Sequence, residues 1–300
     1  MSLKNMFKAI DKSKYSFVTG PLDLYLLKLA NADNDRAINV NAPSQAGKCQ
    51  RANYYARMQY ENDGTIDPRT QRIFDNGTYT HERLQKYLMD MNLLICDEVP
   101  LINDKYNIQG HTDGILDLDN IDEIAVLEIK SINDRNFSVL KDAKPEHKKQ
   151  GLIYLYCLEE RRKWLHKEYR TRKEFRDSQG DRIKAIRKHY EHLKGGSKFS
   201  REEKIQHQVD LHLIADDILY DTEKPITKVV FLYENKNTQE LKEFTVERNI
   251  TTEAILTELL KGYKYLNDCV KKEKIPPREG TSKSCDCCRW CDYKNECWIV

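Results

Sequence analysis

Residues 106–132 read YNIQGHTDGILDLDNIDEIAVLEIKSI. Two segments of strand character, 106–118 and 123–132, are separated here by an acidic connector, a pattern typical of a β-hairpin. The connector contains Asp117, Asp119, Asn120 and Asp122. A third strand-like segment, 93–102, precedes the hairpin. Because helical patterns stand on both sides of these strands, the sequence predicts an α/β fold in which a mixed central sheet is flanked by helices.

Two carboxylates and a lysine stand out within this hairpin. Glu128 and Lys130 are two residues apart on one strand and project to the same face, and the partner strand can place Asp113 beside them. Closely spaced carboxylates repel each other unless a cation lies between them, and Mg²⁺ or Mn²⁺ accepts carboxylates, water and phosphate oxygens. The pattern therefore predicts a divalent-metal site at which Lys130 assists attack by water. An acidic residue two positions before a lysine is also common on strands without any catalytic role.

Apolar residues at helical spacing occur before and after the strand-like segments. We predict that one helix begins after Gly77 and passes through His81. A long helical region begins near Pro145, because proline is well tolerated in the first turn of a helix. Gly180 and the pair Gly195-Gly196 are expected to divide this region into two or three helices.

No internal repeat or low-complexity linker interrupts the chain. A second hairpin is predicted at 227–233 and 241–246, and a helix at 252–272. The predicted organisation is a single domain over 1–300, with a core at 72–155 and 225–272 and a basic helical insertion at 156–224.

The predicted insertion concentrates positive charge. Residues 161–204 hold 16 Lys and Arg against 7 Asp and Glu, although the net charge of the whole chain is +2. Such a concentration suits binding to a phosphate backbone and is equally typical of a solvated helical face. Aromatic side chains of this region could stack on bases or could form the core of the insertion. They include Trp164, Tyr169, Phe175 and Tyr190.

Nine cysteines in a chain without an apolar N-terminal leader indicate metal binding more than a disulfide framework. Cys288-x-x-Cys291-x5-Cys297 can supply three ligands to a metal or cluster from one short segment. Cys285 and Cys287 crowd this segment, so Cys285-x-x-Cys288 is a competing ligand pair. The remaining isolated cysteines are expected to be small buried apolar residues. These are Cys96, Cys157 and Cys269.

Asp113 together with Glu128-x-Lys130 resembles the signature of the PD-(D/E)XK nuclease superfamily. His81 upstream and Gln150-x-x-x-Tyr154 downstream resemble motifs of its RecB-like branch. The resemblance implies a restriction-endonuclease-like core and a metal-dependent DNA exonuclease that acts on single-stranded or end-bearing DNA. The implied metal ligands are His81, Asp113, Glu128 and the carbonyl group of Ile129. The implied catalytic residues are Asp113, Glu128, Lys130, Gln150 and Tyr154, of which the last two contact DNA or support the lysine.

The cysteine pattern resembles the RecB-like exonucleases that carry an iron–sulfur cluster, among them CRISPR-associated nucleases and AddB-type nuclease domains. These enzymes take a fourth ligand from an N-terminal cysteine, which Cys49 matches. The resemblance implies a 4Fe-4S cluster in a region formed by 44–52 and 285–298, with zinc as the alternative. The implied ligands are Cys49, Cys288, Cys291 and Cys297.

The resemblance also implies a role in phage or bacterial recombination or repair, or in CRISPR processing, and it permits a helicase or recombination protein as partner. The alternative is a non-catalytic DNA-binding or assembly module with a structural zinc or iron–sulfur site. That alternative leaves Asp113, Glu128 and Lys130 without a role.

Membranes and nucleotides are not expected partners. No apolar run approaches the roughly 18 residues needed to cross a bilayer, and the N-terminus lacks the apolar segment of a signal peptide. We therefore expect the protein in the bacterial cytoplasm, or encoded by a phage and located in the host cytoplasm. The segment Ala42-x4-Gly47-Lys48-Cys49 approaches a P-loop, but it lacks the first glycine and the hydroxyl residue after the lysine, so no nucleoside triphosphate is expected.

Overall fold

The structure is a computed structural model that describes residues 17–30, 38–62, 64, 66–118, 123–169, 171–193, 201–221 and 224–299. The chain divides into two compact units. The first comprises Met1–Val40, Lys48–Arg83 and Tyr265–Val300, and the second comprises Asn41–Gly47 and Leu84–Lys264. The core and insertion boundaries that the sequence suggests stay a prediction.

A mixed sheet is the centre of the second unit. Its strands are β1 (Leu94–Asn103), β2 (Ile108–Leu118), β3 (Glu123–Ile132), β4 (Ile226–Asn235) and β5 (Leu241–Glu247), in the order β1-β2-β3-β4-β5. Strands β3 and β4 pair in parallel, whereas the other neighbours pair antiparallel. This sheet, flanked by helices, confirms the predicted α/β class. The connector residues Asp119, Asn120 and Asp122 lie outside the described residues, but the predicted antiparallel pairing of β2 with β3 is confirmed.

Helices account for most of the remaining described chain. They are α1 (Thr19–Ala30), α2 (Gln50–Arg57), α3 (Pro68–Asp90), α4 (Asp134–Ser138), α5 (Pro145–Glu168), α6 (Arg172–Leu193), α7 (Arg201–Asp221), α8 (Ile250–Lys271) and α9 (Lys294–Ile299). The segment from α4 to α7 connects β3 to β4, since parallel neighbours need a long crossover and cannot be joined by a tight turn. None of the described helices combines the length and apolar character that crossing a bilayer requires.

Helix α5 covers one face of the sheet. Its residues Leu152 and Ile153 are buried in the same cluster as Val126 of β3 and Phe231 of β4. Each such side chain contributes about 1.5–3 kcal/mol when it leaves water. The opposite face packs Leu127 and its neighbours against the last turns of α3. Strand β3 is therefore buried on both faces, which explains why its sequence is nearly continuously apolar.

Two predicted helix boundaries are wrong. Helix α3 begins at Pro68 and continues through Gly77, because Asp67 caps its N-terminus with a 2.6 Å hydrogen bond to the Thr70 amide. The glycine costs about 1 kcal/mol relative to alanine, which a 23-residue helix tolerates. Gly180 lies inside α6 and does not end a helix. The pair Gly195-Gly196 lies outside the described residues.

The break in this helical region falls between α5 and α6. Thr171 and Glu174 form a capping box there, in which the Glu174 amide donates to Thr171 Oγ1 at 3.2 Å and the Thr171 amide donates to Glu174 Oε2 at 3.3 Å. Each side chain accepts a hydrogen bond from a backbone amide that the first turn would otherwise leave without a partner. A threonine and a glutamate three residues apart thus set the start of α6, where we had expected a glycine to act.

The first unit has a separate small core. Tyr54 and Tyr55 of α2 are buried with Leu266 and Cys269 of α8 and with Cys297 of α9. The burial predicted for Cys96, Cys157 and Cys269 is confirmed. The C-terminal turns of this unit also confirm the expected cysteine-rich cluster.

Candidate active site and cysteine cluster

Strand pairing brings the two predicted carboxylates to one place. The last pair of β2 with β3 is Gly114 opposite Leu127, and Asp113 immediately precedes it. Asp113 Oδ2 accepts a hydrogen bond of 2.5 Å from the backbone amide of Ile129. Lys130 Nζ lies 2.5 Å from Glu128 Oε1 on the same strand. Asp113, Glu128 and Lys130 therefore form one site on the face of the sheet that α5 covers.

Gln150 of α5 joins the lysine to the glutamate. Its Nε2 group donates to Glu128 Oε1 at 2.9 Å, and its Oε1 accepts from Lys130 Nζ at 3.2 Å. The same Nε2 group donates to the hydroxyl of Tyr154, one helical turn later. Gln150 and Tyr154 are thus brought to the carboxylates, as their spacing of four residues on a helix suggests.

The Glu128 carboxyl is the most strongly perturbed group of this site. Burial raises its pKa to about 7, the negative charge of Asp113 adds to the rise, and Lys130 opposes it. Burial also raises the pKa of Tyr154 well above its ordinary value. Glu128 is 3% exposed, and its Oε2 atom has no hydrogen-bond partner among the described residues. A buried carboxylate oxygen without a donor is costly, and a hard divalent cation is a natural partner for it.

Gln85 is a residue of the site that the sequence analysis missed. Its Nε2 group donates to the carbonyl of Asp113 at 2.8 Å and to Glu98 Oε1 at 3.0 Å. Gln85 follows His81 by four residues on α3, so the two side chains share one helical face. That spacing from His81 is the signal that could have identified Gln85. His81 itself belongs to the other compact unit, and its role as a metal ligand stays a prediction.

Two glycines permit the close packing that the site needs. A Cβ atom on Gly151 would lie 2.8 Å from Phe231 Cζ and 3.1 Å from Val229 Cγ2, so only glycine lets α5 approach β4 at the level of Gln150. A Cβ atom on Gly114 would lie 2.5 Å from the carbonyl oxygen of Cys96. Both glycines directly follow a site residue, and their positions could have been suspected from that adjacency.

Tyr233 lies on the strand next to the site, and the sequence analysis missed it as well. It pairs with Lys130 across β3 and β4. Its hydroxyl accepts a hydrogen bond of 3.1 Å from the Lys144 amide and lies 2.7 Å from Nδ1 of His147. Since a buried hydroxyl proton needs an acceptor, Tyr233 donates to Nδ1, and the proton of a neutral His147 then lies on Nε2.

The four predicted cluster ligands line one small cavity. Cys49, Cys288, Cys291 and Cys297 surround it together with Cys287. The sulfur atoms of Cys285, Cys287 and Cys288 form a tighter group, since all three lie within 4.8 Å of one another.

Hydrogen bonding within this group separates the acidities of its thiols. Donation from the Cys287 thiol lowers the pKa of Cys285 to about 6. The same hydrogen bond raises the pKa of Cys287 to about 12. The spacing of the cysteines in the sequence identifies the region but leaves open which thiols share a metal.

The aromatic residues of the basic segment divide between core and surface. Phe175 is buried and packs with Tyr169 and Tyr220, so it belongs to the core of these helices. Trp164 is exposed, with the Arg161 guanidinium 4.3 Å from its ring centre. The side chain of Tyr190 lies outside the described residues.

No protein-family model matches the chain, and a search of the curated proteins finds no match either. Among solved structures, the chain is similar to the crystal structure of SSO0001, with a TM-score of 0.44 and 14% identity over 94% of this chain and 96% of that chain. It is also similar to the crystal structure of an alkaline exonuclease (LHK-Exo) from Laribacter hongkongensis, with a TM-score of 0.32 and 11% identity over 83% of this chain and 99% of that chain. Because both TM-scores are below 0.5, neither likeness bears on the fold or the function.

Proposed function

We propose that the protein is a divalent-metal-dependent nuclease of the PD-(D/E)XK type that hydrolyses phosphodiester bonds in DNA. The observation that carries the proposal is the convergence of Asp113, Glu128 and Lys130, with a buried Glu128 oxygen that no described residue satisfies. Lys130 and Gln150 pair with Glu128 Oε1, and the buried Oε2 atom is the oxygen that we assign to a cation.

Mg²⁺ or Mn²⁺, when bound, supplies a metal-bound water of lowered pKa and polarises the scissile phosphate. The proposed ligands of this ion are Asp113, Glu128, the Ile129 carbonyl and His81. A cation held by these groups would compete with Lys130 for Glu128, and the Lys130 ammonium would then be placed to stabilise charge on the phosphate. Gln150 accepts a hydrogen bond from Lys130, which holds the ammonium group at the site, and Tyr154 in turn fixes Gln150.

The family resemblance of the motifs supports an exonuclease that acts on single-stranded or end-bearing DNA. It also supports a cytoplasmic role in phage or bacterial recombination or repair, or in CRISPR processing, with a helicase or recombination protein as a partner. For the cysteine region, the same resemblance supports a 4Fe-4S cluster held by Cys49, Cys288, Cys291 and Cys297, with zinc as the alternative. The cavity that these four thiols line is compatible with a shared ligand.

The proposed activity is tested by incubating the protein with end-labelled single-stranded DNA in the presence of Mn²⁺, of Mg²⁺ or of a chelator, and measuring cleavage. We expect cleavage only with a divalent ion, and we expect Lys130→Ala to slow it by about 100-fold or more. Lys148→Ala is the matched control, because Lys148 lies on α5 and pairs with the exposed Asp142. The control should retain the wild-type rate.

The same preparation distinguishes the rival function. DNA binding without cleavage under every metal condition would support a non-catalytic binding module and would overturn the nuclease proposal. A circular single-stranded substrate tests the exonuclease assignment separately, because an enzyme that needs an end leaves the circle intact.

A further inference from the structure

Three thiols in the C-terminal turns lie closer together than the predicted cluster ligands require. The sulfur atoms of Cys285 and Cys287 are 3.2 Å apart, and those of Cys287 and Cys288 are 3.7 Å apart. Two of these three residues, Cys285 and Cys287, are absent from the ligand set Cys49, Cys288, Cys291 and Cys297. The group therefore defines a second possible arrangement of ligands in the same region.

The separation of the sulfurs distinguishes a single ion from a cluster. Thiolates on one tetrahedral zinc ion, with Zn–S bonds of about 2.3 Å, lie about 3.8 Å apart. In a 4Fe-4S cluster each cysteine binds a different iron, so the sulfurs must lie farther apart. The 3.7 Å between the sulfurs of Cys287 and Cys288 matches the first arrangement, and the 3.2 Å between those of Cys285 and Cys287 would have to lengthen slightly to reach it.

The backbone around the group leaves room only for the sulfurs. A Cβ atom on Gly280 would lie 2.3 Å from Cys288 Sγ, 3.0 Å from Cys285 Sγ and 3.2 Å from Cys287 Sγ. One glycine thus contacts all three thiols and forms a wall of the site. A methyl group at this position would displace at least one sulfur.

A buried donor lies beside these thiols. The indole Nε1 of Trp298 is inaccessible to solvent and, among the described residues, has no acceptor in good hydrogen-bond geometry, although it interacts with the Cys288 thiol. Trp298 lines the same cavity as Cys287 and Cys288. A metal-bound thiolate is an acceptor that would satisfy this N–H group, since ligands are usually oriented by hydrogen bonds from a surrounding shell.

We propose that Cys285, Cys287 and Cys288 bind one thiophilic divalent cation of the zinc class, with water in the fourth position. Cys288 belongs both to this set and to the proposed iron–sulfur set. The two are therefore mutually exclusive, and zinc excludes the cluster from the chain that holds it. The zinc site does not depend on the nuclease proposal, because its evidence lies entirely among residues 280–298.

The site is tested by measuring the zinc affinity of the full metal-free chain under reducing conditions, in competition with a chelating dye. We expect one zinc per chain, and we expect Cys287→Ser to weaken binding by about 100-fold or more, since even the loss of a group that only hydrogen-bonds to a metal ligand costs about 10- to 100-fold. Cys96→Ser is the matched control and should bind as the wild type does, because Cys96 lies on β1 and its thiol donates to the Asp97 carbonyl, a bond that a serine hydroxyl can keep. Cobalt substitution should give thiolate charge-transfer absorption that Cys287→Ser diminishes and Cys96→Ser leaves unchanged.

A second variant keeps all the thiols and perturbs only the space around them, so it tests the site without removing a ligand. Gly280→Ala should weaken zinc binding by about 10-fold or more through crowding. Circular dichroism of each metal-free variant should match that of the wild type. The proposal is overturned if Cys297→Ser loses zinc while Cys287→Ser keeps it, or if the chain assembles an iron–sulfur cluster and binds no zinc. Nuclease activity is measured separately, so its failure leaves this result intact.

Discussion

The candidate active site and the cysteine cluster are built on different kinds of backbone. Asp113 and Glu128 lie on paired strands, where hydrogen-bonded register decides which side chains meet. Cys285, Cys287 and Cys288 lie in consecutive turns, which no ladder of hydrogen bonds holds in register. Spacing in the sequence consequently identifies the contacts of the first site, whereas it identifies only the neighbourhood of the second.

The two sites also differ in how their polar atoms are satisfied. Glu128, Lys130 and Gln150 form a network of protein groups that is complete except for one carboxylate oxygen. In the cysteine cluster, the thiols of Cys285 and Cys287 contact each other, and the hydrogen bonds around them come mainly from the backbone of the turns. The first site is therefore preorganised by the protein, and the second should take its final geometry from the metal.

The largest expected effect is a reciprocal loss of function at the two sites. Glu128→Gln should slow DNA cleavage by about 1000-fold, because it removes a metal-binding charge while keeping the shape of the side chain. Zinc content should not change. Cys287→Ser should have the opposite pattern, with zinc lost and the Mn²⁺-dependent cleavage of the folded chain retained. If either substitution abolishes both properties, the two sites are not independent.

Helix α5 provides the next test, because its approach to the sheet positions Gln150. Gly151→Ala should lower the free energy of unfolding by about 1–3 kcal/mol through overpacking against Phe231, and it should reduce the cleavage rate. Gly180→Ala is the matched control, since a Cβ atom there meets nothing nearer than 3.7 Å. That control should stabilise the protein by up to about 1 kcal/mol. Equal effects of the two substitutions in urea titration would contradict the packing argument.

A smaller effect is expected from the residue that holds the Asp113 backbone. Gln85→Leu removes the donor to the Asp113 carbonyl and should cost about 1 kcal/mol of site stabilisation, or roughly fivefold in rate. The Mn²⁺ concentration for half-maximal cleavage should rise with it. A variant that cleaves as the wild type does at every Mn²⁺ concentration would show that Gln85 has only a packing role.

The smallest effect concerns acid sensitivity of the sheet-containing unit. Burial lowers the pKa of His212, with Arg161 and His111 adding to the decrease and Asp216 opposing it. The pKa of His212 in the folded protein is below its value of about 6.5 in the unfolded chain. The stability that neutral His212 contributes is therefore fully present above about pH 6.5. It is lost as the pH falls from about 6.5 through the lowered folded pKa. The free energy of unfolding should therefore fall less with acid in His212→Gln than in the wild type.

This difference is measured by urea titrations at several pH values. Unfolding is followed by the fluorescence of Trp164, in variants from which Trp290 and Trp298 have been removed so that Trp164 is the reporter. Zinc retention in parallel titrations of the chain that keeps Trp298 reports on the other unit. A steeper acid dependence in His212→Gln than in the wild type would contradict the assignment of His212 as a half-buried neutral histidine.

Prediction from the sequence succeeded where one local rule dominates and failed where two rules compete. The alternation of β3 places Glu128 and Lys130 on one face, and Pro145 starts α5 as expected. At Gly77, helix propensity and the Asp67 cap outweigh the glycine, so the predicted helix start is wrong. At α6, the capping box of Thr171 sets the boundary, and Gly180 does not.

The amino-acid sequence by itself determined the strands, their apolar faces and the side chains able to bind a metal, since each depends on spacing over a few residues. Only the tertiary structure decided that Gln85 joins the carboxylate site, that Tyr233 lies opposite Lys130, and that Cys287 contacts both Cys285 and Cys288. The reason is physical, because such contacts depend on how distant segments or irregular turns pack, and no local periodicity encodes that packing.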